Sequence, residues 1–296
     1  MADFRDNMRG ILAMLACCLF FILNDTCVKA AGESLPLGQI IVLRGVFTTV
    51  VIVVVAWWMG LLPQVPSLMV DRKVGLRTFG EVGATLLYLT ALLEMPIANI
   101  SAIAQAAPLA ITAAGAIFLG EKVGWRRWTA VCVGFAGIMI IVRPGADGFN
   151  AWALLAMASV LLVTLRDVVT RVIPPTAPTV VITVVTSIWV LVAGAAYTVV
   201  AGDEWTMPSP RELLLVCGSG AAMLLGFVSV IIAMRHGDVS VVSPFRYVFI
   251  PYAILIGWLV WGDVPDGITL VGIAVVVATG MYTFYRERKV AALARR

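Results

Sequence analysis

Residues 96–121 read PIANISAIAQAAPLAITAAGAIFLGE, and residues 239–263 read VSVVSPFRYVFIPYAILIGWLVWGD. Each run is apolar and long enough to cross a bilayer, which takes roughly 20 residues of helix. Each carries a proline near its middle and closes on glycine followed by an acid: Pro108 answers to Pro251, Gly120 to Gly262 and Glu121 to Asp263. The echo reaches further. A shift of 142 positions pairs Asp25 with Asp167, Lys29 with Arg171 and Pro36 with Pro178, and a shift of 143 pairs Gly137 with Gly280. The chain is therefore expected to be two copies of one design, and internal duplication in a hydrophobic chain points to a carrier.

Composition sets the solvent. The 296 residues are 61% hydrophobic and 13% charged, against about 45–50% and about 25% in soluble domains. The chain reads as an all-α polytopic membrane protein whose constant partner is the lipid bilayer. The net charge of +4 is assigned to loops, not to nucleic-acid binding. Cys17, Cys18, Cys27, Cys132 and Cys217 lie in or near apolar runs without metal-ligand spacing and read as small packing residues. No metal or cofactor is expected.

Ten transmembrane helices are expected, over 10–30, 37–58, 77–94, 97–118, 125–143, 148–171, 179–201, 211–235, 239–262 and 266–286. Pro144 and Gly145 mark the boundary, giving a first repeat over 1–145 and a second over 146–296. Five helices per copy is an odd number, so the second copy enters the membrane from the opposite side. The result is a 5+5 inverted repeat. Loop charges agree. With the N-terminus inside, 15 of the 21 basic residues fall in cytoplasmic segments, and only Lys29, Arg143 and Arg211 fall outside. That is the positive-inside bias, and it makes both termini cytoplasmic. The fourth helix carries Ala98, Ala102, Ala106, Ala110 and Ala114 at every fourth position, a stripe suited to close helix packing. Pro108 and Pro251 each remove a backbone hydrogen bond and are candidate kinks or hinges.

Ten helices in two inverted halves, each with the fourth-helix pattern proline, 10 or 11 residues, glycine and acid, resemble the drug/metabolite transporter superfamily, and within it the EamA-type metabolite transporters. Gly120-Glu121-Lys122-Val123 followed by Gly134-Phe135-Ala136-Gly137, and Gly262-Asp263 followed by Gly272 and Gly280, carry the resemblance. Asp263 departs from the glutamate usual at that place. The resemblance implies a basket in which the third, fourth, eighth and ninth helices surround a central cavity, a bacterial inner-membrane location, and cargoes such as amino acids and their derivatives, nucleotide-like metabolites, riboflavin or S-adenosylmethionine.

Charges inside a bilayer cost about 2.5–3.5 kcal/mol each on insertion scales and are functional suspects. Asp25 and Arg44 fall at similar depth below one surface, and Asp167 and Arg246 near the other. One reading makes Asp25–Arg44 and Asp167–Arg246 alternating gates. The other pairs Asp25 with Lys29 and Asp167 with Arg171 on their own helix faces. Arg44, Arg166 and Arg246 favour a cargo bearing a carboxylate or phosphate, which a guanidinium grips in bidentate fashion. Tyr88, Tyr247 and Tyr252 lie mid-helix and offer a ring face and a hydroxyl, with core packing as the plainer account. Asn99 and Gln105 are the polar groups best placed for cargo contact. Glu81 and Glu94 read as interfacial, and His236 as a loop residue. The expected function is alternating-access transport of a small zwitterionic or anionic metabolite, with a ring-bearing metabolite as alternative. A membrane-embedded enzyme is the distant alternative: the sequence contains no HExxH and no Gly-x-Ser-x-Gly.

Overall fold

The computed structural model describes residues 4–120, 123–143, 151–174, 176–236 and 238–294. Glu121, Lys122, Pro175 and the expected boundary at Pro144 and Gly145 lie outside the described residues, as do Arg295 and Arg296. Regular structure among the described residues is entirely helical: α1 (Phe4–Ala31), α2 (Leu37–Trp58), α3 (Val65–Met69), α4 (Arg72–Glu94), α5 (Ile97–Ala104), α6 (Ala107–Phe118), α7 (Trp125–Val142), α8 (Trp152–Val172), α9 (Thr179–Ala201), α10 (Pro210–His236), α11 (Val239–Val242), a 3-10 segment (Ser243–Val248), α12 (Phe249–Trp261) and α13 (Gly267–Ala294).

Eight helical stretches among the described residues have the length and apolarity to cross a bilayer. They are α1, α2, α5 with α6, α7, α8, α9, α10, and the 3-10 segment with α12. Two expected spans fall short of that measure. The third lies in α4, a helix of 23 residues that carries Arg72, Lys73, Arg77, Glu81 and Glu94. The tenth lies in α13, whose apolar part, Gly267–Thr283, is shorter.

Element boundaries recur at a fixed interval. Leu37 and Thr179, Ile97 and Val239, and Trp125 and Gly267 each open a helix and stand 142 residues apart. Pro36 and Pro178, both extended, precede α2 and α9. The left-handed glycines follow the same interval: Gly60 (φ 69°) and Gly202 (φ 70°) lie just past α2 and α9, and Gly120 (φ 68°) and Gly262 (φ 72°) just past α6 and α12. At such a φ a Cβ is penalised, which is why glycine stops helices there.

The fourth and ninth expected spans are not continuous α-helices. α5 ends at Ala104, Gln105 is its C-cap, and α6 opens at Ala107 with Pro108 in its first turn. In the second copy the 3-10 segment opens with Pro244 in its first turn, and α12 follows with Pro251 as its third residue. The sequence places a kink at each proline. In the structure the irregularity lies just ahead of each proline, and the proline occupies a first turn, where the missing N–H has no intrahelical acceptor to lose.

The chain forms two compact units: Met1–Leu23, Met95–Met157 and Ala222–Arg296 in the first, and Asn24–Glu94 with Ala158–Ala221 in the second. Each unit thus draws helices from both sequence halves. In the second unit α2 packs along α9. Gly38 meets Thr198, Ile41 meets Gly194, and Gly45 meets Leu191, so numbers rise on one helix as they fall on the other, and the pair is antiparallel. A small apolar cluster of Val74, Ile182 and Val185 seats Val65 and Leu68 beneath it. In the first unit α7 packs along α13. Gly134 meets Thr279, Gly137 meets Val275, and Ile141 meets Gly272, again antiparallel. A Cβ on Gly272 would stand 2.8 Å from the carbonyl oxygen of Gly137. The two main chains touch, as small residues permit where lipid supplies no hydrophobic drive between helices.

Candidate functional site

The second unit holds a buried polar cluster built by three helices. α1 contributes Asn24 and Asp25, α2 contributes Arg44, and α4 contributes Tyr88. Asn24, Asp25 and Arg44 are each no more than 7% exposed. The Tyr88 hydroxyl donates to Asp25 Oδ2 at 2.7 Å, and Asn24 Nδ2 donates to Asp25 Oδ1 at 2.9 Å. Arg44 Nη1 donates to Asn24 Oδ1 at 3.3 Å. Asp25 and Arg44, matched by depth in the sequence, are thus joined through the Asn24 amide and not by a direct ion pair. That long bond is the one hydrogen bond of the Arg44 guanidinium among the described residues. Four of its five N–H donors remain uncommitted. Lys29, one turn beyond Asp25, donates to the carbonyls of Leu92 and Leu93 at the end of α4, a favourable place for a cation.

A second cluster in the same unit joins α4 to α8. Arg166 Nη1 bonds Glu81 Oε2 at 2.9 Å, and Arg166 Nε bonds Asp167 Oδ1 at 2.7 Å. Arg77 donates to Thr186 at 2.8 Å. Glu81, read from the sequence as interfacial, has Arg166 as its partner, with the Glu81 side chain 20% exposed. Gly80 explains the approach: a Cβ there would stand 2.9 Å from the Leu162 carbonyl and 3.1 Å from the Arg166 nitrogen. Gly80 and Gly83 on one side of α4 were the available signal.

Asp167 and Arg246 belong to different units. Arg246 is exposed in the 3-10 segment, and its carbonyl accepts the Cys18 thiol at 3.5 Å. Tyr247, 5% exposed, lies against Gly280. Tyr252 is half-buried on α12. Gln105 is buried at the end of α5. Its Oε1 and the Ser101 Oγ one turn earlier have no hydrogen-bond partner among the described residues. Asn99, also on α5, opens onto a pocket of about 310 Å³ in the first unit, shared with Arg143, Asp263 and Asp266. Arg143 closes α7 in the left-handed conformation (φ 49°). Its Nη2 bonds both oxygens of Asp266 and, at 3.1 Å, Thr269. These bonds hold the Asp266 carboxyl well below the usual carboxylate range, the Arg143 hydrogen bond being the largest cause.

Eight helical stretches of spanning length and apolarity among the described residues define a multi-pass membrane protein. Residues 8–143 match the model of the EamA-like transporter family. Along nearly its full length the chain is 29% identical over 293 residues to a riboflavin transporter of Vibrio cholerae, covering 95% of each chain. It is 28% identical to the pseudopaline exporter CntI of Pseudomonas aeruginosa, over 90% of this chain and 93% of that one. It is 23% identical to an S-adenosylmethionine uptake transporter of Rickettsia prowazekii, over 96% and 95%. A crystal structure shares the fold at a TM-score of 0.62 and 18% identity, over 96% of this chain and 99% of that one. The family and these relatives are transporters, not enzymes.

Proposed function

We propose that the protein is a secondary or facilitative carrier of a small organic metabolite, working by alternating access between two inverted five-helix halves. On this reading it lies in a bacterial inner membrane with ten spans, α4 and α13 included, and both termini are cytoplasmic. The observation that carries the reading is the antiparallel packing of counterpart helices, α2 with α9 and α7 with α13, at the 142-residue interval. Copies inserted in the same sense would place counterparts parallel. The matching interruptions ahead of Pro108 and Pro251 support hinges in the fourth and ninth spans, since broken membrane helices recur where transporters bind and bend.

The cargo reading rests on Arg44. A buried guanidinium with one long hydrogen bond is poised for a carboxylate or phosphate, with Tyr88 beside it as ring and hydroxyl. An amino acid or amino-acid derivative fits this chemistry. Asn99, Gln105, Arg246, Tyr247 and Tyr252, all in the first unit, are separate candidates for cargo contact, and Asp25 with Arg44 serves as a gate. A second reading, a ring-bearing metabolite, is favoured by the riboflavin and S-adenosylmethionine relatives. Counterflow in proteoliposomes, with labelled amino acids, riboflavin and S-adenosylmethionine in parallel, separates the two. Failure of every solute to exchange against itself defeats the carrier reading.

A further inference from the structure

We propose that the pocket where the C-terminal ends of α7 and α12 meet the N-terminal end of α13 is a binding site for a small protonated amine with an apolar body. The pocket holds about 310 Å³, within the range of small-molecule sites. Its charge is unbalanced. Arg143 is committed to Asp266 and Thr269, and Asp266 also caps α13 through the Thr269 amide at 2.8 Å. These groups neutralise one another and fasten α7 to α13.

Asp263 is left over. Gly262 turns the chain in the left-handed conformation, and the Asp263 amide bonds the Gly257 carbonyl at 3.1 Å. The backbone is therefore pinned, while the carboxylate has no hydrogen bond or ion pair among the described residues. Beside it in the same pocket is Asn99, whose Oδ1 is buried and likewise without a donor among them. A buried acceptor without a donor is destabilising, and a carboxylate in a recess attracts a cation. The pocket also contains one uncovered donor, Arg143 Nε. It belongs to a guanidinium whose charge Asp266 already answers, so the net balance of Asp263, Asp266 and Arg143 is one negative charge. Ile141, Val142, Val264 and Pro265 supply apolar wall. Ammonium at Asp263 and Asn99, and hydrocarbon against that wall, is the arrangement the lining selects.

This site shares Asn99 with the cargo reading but is tested apart from it, because its test measures equilibrium binding and not transport, and its decisive variant, Asp263→Asn, lies outside the cargo set. Full-length protein in nanodiscs is titrated calorimetrically with phenethylamine and, separately, with phenylacetate, with empty nanodiscs subtracted. The expected result is saturable amine binding, with phenylacetate at least tenfold weaker. Asp263→Asn weakens amine binding at least tenfold, and Val264→Trp, which fills the pocket, abolishes it. Unchanged elution and thermal midpoint certify that each variant is folded. Should Asp263→Asn fail to fold, Asn99→Ala takes its place with the same expected loss. No saturable amine binding, equal binding of phenylacetate, or folded variants with wild-type affinity each overturns the proposal.

Discussion

Asp25 is buried with two hydrogen-bond partners, Tyr88 and Asn24, and Asn24 gives the cluster its geometry. The amide donates to Asp25 and accepts from Arg44, so one side chain orders both charges. Asn24→Ala removes both bonds at a site 7% exposed and is expected to cost about 1–3 kcal/mol, read as a lower midpoint in thermal unfolding. Arg44→Gln is expected to slow counterflow of a zwitterionic or anionic cargo at least tenfold. Arg44→Lys should recover only part, because an ammonium lacks the planar fork; wild-type rates in both variants would remove Arg44 from the cargo path. Asp266 adds a pH dependence. Its folded-state pKa is depressed by Arg143 and Thr269, so its stabilising contribution is fully present above the ordinary carboxylate value of about 4. It is lost as pH falls through the lowered value. The midpoint difference between wild type and Asp266→Asn should be flat from pH 8 to about 5 and shrink below about 4. At this scale depth arithmetic found Asp25 and Arg44 in the sequence, because charges stand out in apolar runs. It missed the Asn24 bridge, since adjacent helical residues point about 100° apart and only the third helix decides which of them turns inward. The partner of Glu81 was not legible, because Arg166 is distant in sequence and is brought close by the approach at Gly80.

Helix ends and breaks were partly legible. Gly120 and Gly262 advertised stops, and φ near 70° is the reason. Pro108 and Pro251 advertised an irregularity but not its position, because a proline in a helix interior and one in a first turn leave the same mark in sequence. α4 was legible as a helix, but its five charged residues leave it outside the spanning measure, and the partners of Lys73, Arg77 and Glu81 on α8 and α9 were not legible. Packing gives a sharp contrast between glycines. Gly272→Val places a branched side chain against the Gly137 carbonyl and is expected to cost about 1–3 kcal/mol or more. Gly75→Ala meets nothing within 4 Å and should be neutral or slightly stabilising, as expected when alanine replaces an exposed helical glycine. Thermal midpoints of the two variants in one detergent check the pair. Equal midpoints would mean that the α7–α13 contact is not a structural constraint.

At the scale of the whole chain, the proposed inverted arrangement makes a prediction about sides. In a cysteine-free background, Met207→Cys, 96% exposed between α9 and α10, should react with an impermeant thiol reagent from outside intact cells. Ser67→Cys on α3 should react only after permeabilisation. Reaction of both from the same side would defeat the inverted reading. The 142-residue interval between helix starts and left-handed glycines was legible in the sequence because punctuation, proline and glycine above all, marks element ends. The make-up of the two compact units was not visible, since each takes helices from both halves and pairing between counterparts leaves no local signature. Where α7 and α13 meet at Gly137 and Gly272, there is no layer of side chains to shear. On the alternating-access proposal, both rods would travel as a single strut, and the bending would fall to the places where the chain is already jointed, at Gln105 and along Ser243–Val248.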